Sequence, residues 1–86
     1  MNDATNTMEF NAPGRGDSEN RKILSQVYAS LSEKGYDPIS QIVGYLLSED
    51  PTYITNYKGA RGLITRVDRH ELMNEIMRFY IENALK

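Results

Sequence analysis

One stretch limits this chain more than any other: Asp37-Pro38-Ile39-Ser40-Gln41-Ile42-Val43-Gly44-Tyr45-Leu46-Leu47-Ser48-Glu49-Asp50-Pro51. Asp37 is a helix cap, and Pro38 stands at the first helical position, where a missing N–H breaks no bond. Pro51 stops the helix. Between the prolines, Ile39, Ile42, Val43, Tyr45, Leu46 and Leu47 are spread nearly all round the helix, so burial is expected on more than one side. In a chain of 86 residues that implies a second subunit. Ile42, Val43, Gly44, Tyr45, Leu46 and Leu47 are therefore expected at a dimer interface. Gly44 disfavours the helix by about 1 kcal/mol relative to alanine, which predicts close approach of a neighbouring helix backbone.

Length leads to the same expectation. A chain this short buries about 60–65% of the surface it exposes when unfolded, so its core is marginal, and a staple or a partner subunit is usual. Cysteine is absent, which excludes a disulfide framework and a Cys-based zinc site. The single histidine, His70, offers neither a metal cluster nor a Ser-His pairing with a second imidazole behind it. Homodimerisation remains as the source of stability.

The rest of the chain reads as helix. Ser18 is an N-cap candidate for a first helix whose stripe is Ile23, Leu24, Val27, Tyr28 and Leu31, with Gly35 just past its end. Tyr53, Ile54 and Tyr57 pin the loop after Pro51, and a short third helix is predicted over Lys58 to Arg66. Asp68 and Glu71 make an Asp-x-x-Glu capping-box pattern. The last helix then carries Leu72, Met73, Ile76, Met77, Tyr80, Ile81 and Leu85. Met73 and Met77 read as core fillers, and Tyr36, Tyr45, Tyr53 and Tyr57 as braces of the core or of a dimer interface. The fold class is all-α: a bundle of about four helices with a helix-turn-helix-like core. Residues 1–17, with Pro13, Gly14 and Gly16 among polar neighbours, have too few apolar groups to offset ordering and read as a disordered tail. Residues 18–86 form the helical dimerising domain.

No catalytic constellation stands out. The glycines of "GRG" and "GARG" lack the strand and the Lys-Ser/Thr pair of a phosphate-binding loop. No cofactor or metal is implied, and the chain reads as non-enzymatic. There is no leader pattern and no apolar run near the roughly 20 residues of a membrane span, so it reads as cytoplasmic. Ten Lys and Arg stand against twelve Asp and Glu, which gives little drive toward nucleic acid. A helix-turn-helix DNA-binding regulator is the alternative reading, although its recognition helix, "YKGARGLITR", would hold two glycines. One basic concentration remains: Lys58, Arg61, Arg66 and Arg69, within an arc of about 140° if their helix ran straight. Such a surface suits an acidic or phosphorylated partner.

"EKGYDPISQIVGYLLSEDPTYI" (33–54) and "ARGLITRVDRHEL" (60–72) resemble the IreB family of small regulatory phosphoproteins of Gram-positive bacteria, called ReoM in some members. The resemblance runs from Thr7 into the last helix. It implies a cytosolic all-helical homodimer whose tail is phosphorylated by a membrane-anchored PASTA-domain Ser/Thr kinase and dephosphorylated by a cognate phosphatase. It also implies control of peptidoglycan synthesis and of tolerance to wall-active antibiotics. The implied route is Clp-protease turnover, directly or through an adaptor, of UDP-N-acetylglucosamine carboxyvinyltransferase. Thr7, followed by Met8 and Phe10, matches the family's phosphoacceptor pattern. Thr5 is a weaker second candidate, since Ala4 stands where some members carry another threonine. Arg61, Arg66 and Arg69 match the family's regulatory arginines. Thr55-Asn56-Tyr57 departs from the Pro-Arg-His of many members.

Overall fold

The computed structural model describes residues 15–85, which hold four α-helices, one 3-10 turn and no strand. The helices are α1 (Arg15–Glu33), α2 (Pro38–Ser48), α3 (Ala60–Ile64) and α4 (Arg69–Ala84); the 3-10 turn is Pro51–Tyr53. The described chain forms two bodies, one of Arg21–Val67 and one of residues 15–20 with 68–85.

α1 begins at Arg15, three residues before Ser18, and belongs to the first body from Arg21 on. Glu19 falls near its start, where the helix dipole favours negative charge. Ile23, Val27 and Leu31 line its buried face, Leu24 is half-buried, and Tyr28 stays exposed. The helix ends in a Schellman turn: Gly35 N–H donates to the Ser32 carbonyl and Tyr36 N–H to that of Leu31, both at 3.0 Å. Gly35 takes φ +89°, a left-handed geometry that suits a residue without a Cβ.

Asp37 caps α2 by accepting from Ser40 N–H. The far end differs from the expected proline stop. Glu49, at φ +63°, turns the chain left-handed and donates its N–H to the Tyr45 carbonyl at 2.7 Å, so α2 is over two residues before Pro51. Pro51 instead opens the 3-10 turn, with Asp50 as its cap accepting from the Thr52 amide and hydroxyl. The turn packs against α2 and α3. The core of this body is Ile23, Val27, Leu31, Tyr45, Leu46, Ile54, Ala60, Ile64 and Val67.

The second body centres on the start of α4. Asp68 caps it by accepting from Glu71 N–H at 3.1 Å. The return arm of the predicted capping box is taken by a different residue. Asn20, 2% exposed, accepts from Asp68 N–H through Oδ1 at 3.0 Å and donates through Nδ2 to the Asp68 carbonyl at 3.2 Å. Of the large apolar residues of α4 only Leu72 is buried. Met73 and Met77, expected in the core, are exposed together with Ile76, Phe79, Tyr80 and Ile81.

Candidate functional site

The basic segment does not form one helical face. Lys58 precedes α3 at φ +54°, Arg61 lies within α3, Arg66 follows it in a turn, and Arg69 opens α4 in the other body. Two consecutive left-handed residues, Lys58 and Gly59 at φ +75°, break the straight run that an arc of 140° requires. Lys58, Arg61 and Arg66 belong to one body and Arg69 to the other.

Lys58, Tyr57 and the end of α1 make a defined cluster. Glu33, the last residue of α1, accepts from Lys58 Nζ at 3.0 Å through one carboxylate oxygen and from the Tyr57 hydroxyl at 3.2 Å through the other. Lys34 Nζ lies 4.9 Å and Lys58 Nζ 5.5 Å from the centroid of the Tyr57 ring, both within cation–π range. The Lys58 and Tyr57 hydrogen bonds, helped by the Lys58 charge, hold the Glu33 carboxyl below its usual range. Its bond to Glu33 in turn raises Lys58. Tyr57 belongs to the Thr55-Asn56-Tyr57 departure, and the ring gathers two lysines where sequence reading saw only lost basic residues.

The same loop is tied at two further points. Gln41 of α2 donates from Nε2 to Thr55 Oγ1 at 3.1 Å and accepts from Thr55 N–H at 2.8 Å. Arg61 donates from Nε to the Ile54 carbonyl at 2.9 Å, which fixes the plane of its guanidinium. Asp50 is held below the usual carboxylate range by its bonds from the Thr52 hydroxyl and amide.

The residues expected at a dimer interface divide. Tyr45 and Leu46 are buried in the chain's own core, Ile42 is half-buried, and Val43 and Leu47 are exposed. Gly44 is explained by a side chain, not by a neighbouring helix backbone. A Cβ there would lie 2.5 Å from Cδ1 of the Tyr53 ring. Of the four tyrosines expected as braces, Tyr45 is buried, Tyr57 is half-buried, and Tyr36 and Tyr53 are exposed. Thr5 and Thr7 lie outside the described residues. His70 is exposed on α4, and no three His, Asp or Glu come together as a metal group among the described residues. Among those residues, no helix is long and apolar enough to cross a membrane.

Asn20 was the residue that sequence reading missed. It stands three before Ile23 and seven before Val27, on the buried face of α1, and a lone amide at a core position is a signal that a backbone group elsewhere needs a partner.

Helices, caps and exposed charged clusters of this kind define a small all-α protein. The family model described as IreB regulatory phosphoprotein matches residues 5–82. A UPF0297 protein of Ruminiclostridium cellulolyticum is 52% identical over 77 residues, 90% of this chain and 88% of the relative. One of Acetivibrio thermocellus is 53% identical over 79 residues, covering 92% and 88%. One of Lachnoclostridium phytofermentans is 45% identical over 86 residues, covering 100% and 98%. The chain belongs to the IreB family of regulatory phosphoproteins.

Proposed function

We propose that the chain is a non-enzymatic, phosphorylation-switched regulator of cell-wall synthesis, with Thr7 as the switch and Thr5 as a secondary acceptor. The observation that carries this reading is the span of the family match, residues 5–82, which takes in both threonines and nearly all of the helical part. The writing enzyme is a PASTA-domain Ser/Thr kinase and the erasing enzyme its cognate phosphatase. The output is Clp-protease turnover of UDP-N-acetylglucosamine carboxyvinyltransferase, and with it peptidoglycan synthesis and antibiotic tolerance. The protein works in the cytoplasm with residues 1–17 as the acceptor segment and 18–86 as the folded reader.

Phosphate at Thr7 adds about −1.5 to −2 charges at neutral pH, moving the chain from its formal −2 to about −4. Arg61, Lys58 and Arg66 supply a basic surface in one body and Arg69 in the other, for a phosphate or an acidic partner. Arg61 suits this role because the Ile54 carbonyl accepts from its Nε and so holds the guanidinium in place.

The homodimer belongs to the same proposal, with its surface moved. Because Tyr45 and Leu46 already serve the chain's own core, α4 is the better covering face. Met73, Ile76, Met77, Tyr80 and Ile81 form an exposed apolar stripe along a helix about 24 Å long. A patch of this kind is what association buries.

The test is intact-mass and fragment mass spectrometry of the protein from native cells with and without the kinase. One phosphate localised to Thr7, absent without the kinase and in Thr7→Ala, is expected. A Thr7→Ala strain indistinguishable from wild type under wall-active antibiotics would sink the reading.

A further inference from the structure

Two lysines meet at the Tyr57 ring, Lys34 Nζ 4.9 Å and Lys58 Nζ 5.5 Å from its centroid. One carboxylate answers them. Glu33 accepts from Lys58 Nζ at 3.0 Å and from the Tyr57 hydroxyl at 3.2 Å, while Lys34 acts on it through charge alone. Around the ring, two ammonium charges therefore face a single negative charge. The side chains of Lys58 and Glu33 are 57% and 52% exposed, so the group is open to a ligand from solution. Donors that already hold a carboxylate make an anion seat, and Glu33 shows the kind of group that fits it.

The resident sets a threshold. Glu33 ends α1 beside Lys34, so its carboxylate is tethered at the seat at high effective concentration. An outside carboxylate brings only the charge and the two oxygens that Glu33 already supplies. A phosphoryl group brings about −1.5 to −2 charges at neutral pH and three acceptor oxygens. It matches both lysines in charge and has an oxygen each for Lys34, Lys58 and the Tyr57 hydroxyl. Exposed pairs are individually weak, so such a ligand displaces Glu33 at little cost to the fold.

We propose that Lys34, Tyr57 and Lys58 seat the phosphorylated Thr7 segment of this chain's own tail, with Glu33 as the latch that it displaces. The inference rests on Thr7 as the phosphoacceptor. Only a tethered competitor meets Glu33 on equal terms, and the tail is joined to the chain that carries the seat. The unmodified threonine has no charge and leaves Glu33 in place. Phosphorylation then covers the two lysines and releases the Glu33 carboxylate, a local change at the end of α1 and in the loop ahead of α3.

The experiment titrates the isotope-labelled full chain with synthetic peptides of residues 3–11: phosphorylated at Thr7, unmodified, and Thr7→Glu. The phosphopeptide is expected to shift the amides of Glu33, Lys34, Lys58 and Gly59 saturably, and the Thr7→Glu peptide to bind at least about tenfold more weakly. Lys58→Gln in the full chain should weaken the phosphopeptide about tenfold. Glu33→Gln removes the latch and should tighten it about three- to fivefold. Asp37→Asn removes the same charge elsewhere on this body, keeps the α2 cap and should leave the affinity unchanged. Equal binding of the phosphorylated and Thr7→Glu peptides, or no saturable shift, would overturn the proposal. So would the same shifts with inorganic phosphate at equal concentration, or equal effects of Glu33→Gln and Asp37→Asn, which would leave only a diffuse positive field. Because the phosphate is installed by synthesis, the two failures separate. A native chain without phosphate at Thr7 overturns the switch, and a phosphopeptide that leaves these amides unmoved overturns the seat.

Discussion

Replacing Asn20 with alanine is the sharpest test of how this fold is held. Its side chain makes two hydrogen bonds to a single residue, accepting from Asp68 N–H at 3.0 Å and donating to the Asp68 carbonyl at 3.2 Å. The carbonyl keeps a second partner, since Leu72 N–H donates to it at 2.9 Å. For the Asp68 N–H the Asn20 oxygen is the partner in the structure. Each neutral bond contributes about 1 kcal/mol net, and a part-buried donor left unpaired, such as the Asp68 N–H, adds about 1 kcal/mol, the low end of the cost of an unmade bond. Asn20→Ala is therefore expected to lose about 3 kcal/mol. For a domain of this size each kcal/mol shifts Tm by about 4–8 °C, so the midpoint should fall by roughly 12–24 °C. The assay is thermal and urea unfolding followed by circular dichroism at one fixed protein concentration, because association would otherwise move the midpoint. Asp68→Ala is the control. It removes the side-chain cap on Glu71 N–H but leaves both backbone bonds to Asn20, and should cost only about 1 kcal/mol. A loss below about 1 kcal/mol for Asn20→Ala, or one no larger than that of Asp68→Ala, would refute the reasoning.

Gly44→Ala should fail to deliver the gain of about 1 kcal/mol that helix propensity offers, because its Cβ meets the Tyr53 ring. In a Tyr53→Ala background the same change should recover that gain, and a double-mutant unfolding cycle measures the difference. Ile76→Glu on α4 should halve the mass seen by light scattering while Leu47→Ser leaves it unchanged; a wild-type mass for Ile76→Glu would rule α4 out as the dimer face. The Glu33–Lys58 bridge should be flat across neutral pH. Glu33 is lowered, so what it contributes is present above its unfolded value and lost as pH falls through its folded value. Lys58 is raised, so its contribution is complete below the unfolded lysine value and lost as pH rises through the folded one. Both groups are exposed, so Glu33→Gln should shift the amide resonances of Lys58 and Gly59 with little change in global unfolding.

The local elements were legible because their causes are local. Asp37 with Pro38, Gly35, and Asp68 ahead of Glu71 each satisfy or remove a backbone group within four residues of themselves, so the sequence alone determined those helix ends and the all-α class. The stripe Ile23, Val27, Leu31 was equally readable from its period. Apolar pattern could not say which side of a helix is covered by its own chain. Periodicity marks Tyr45 and Leu46 as apolar exactly as it marks Val43 and Leu47, and likewise Leu72 and Ile76. Only the packing of each body separated the buried member of each pair from the exposed one.

Tertiary structure alone decided the contacts that join residues far apart in the chain. Asn20 reaches Asp68 across 48 positions, Glu33 reaches Lys58 across 25, and Gln41 reaches Thr55 across 14. In each case a side chain satisfies or fixes a group whose need is visible locally but whose partner is not. Lys58 and Gly59 show the same limit: two left-handed residues divided a basic run that looked continuous in sequence. The sequence by itself determined where α2 and α4 begin, where α1 ends and which residues could be buried. The three-dimensional arrangement decided which of them are, because burial depends on what distant segment arrives to exclude water, and that is a property of the whole chain.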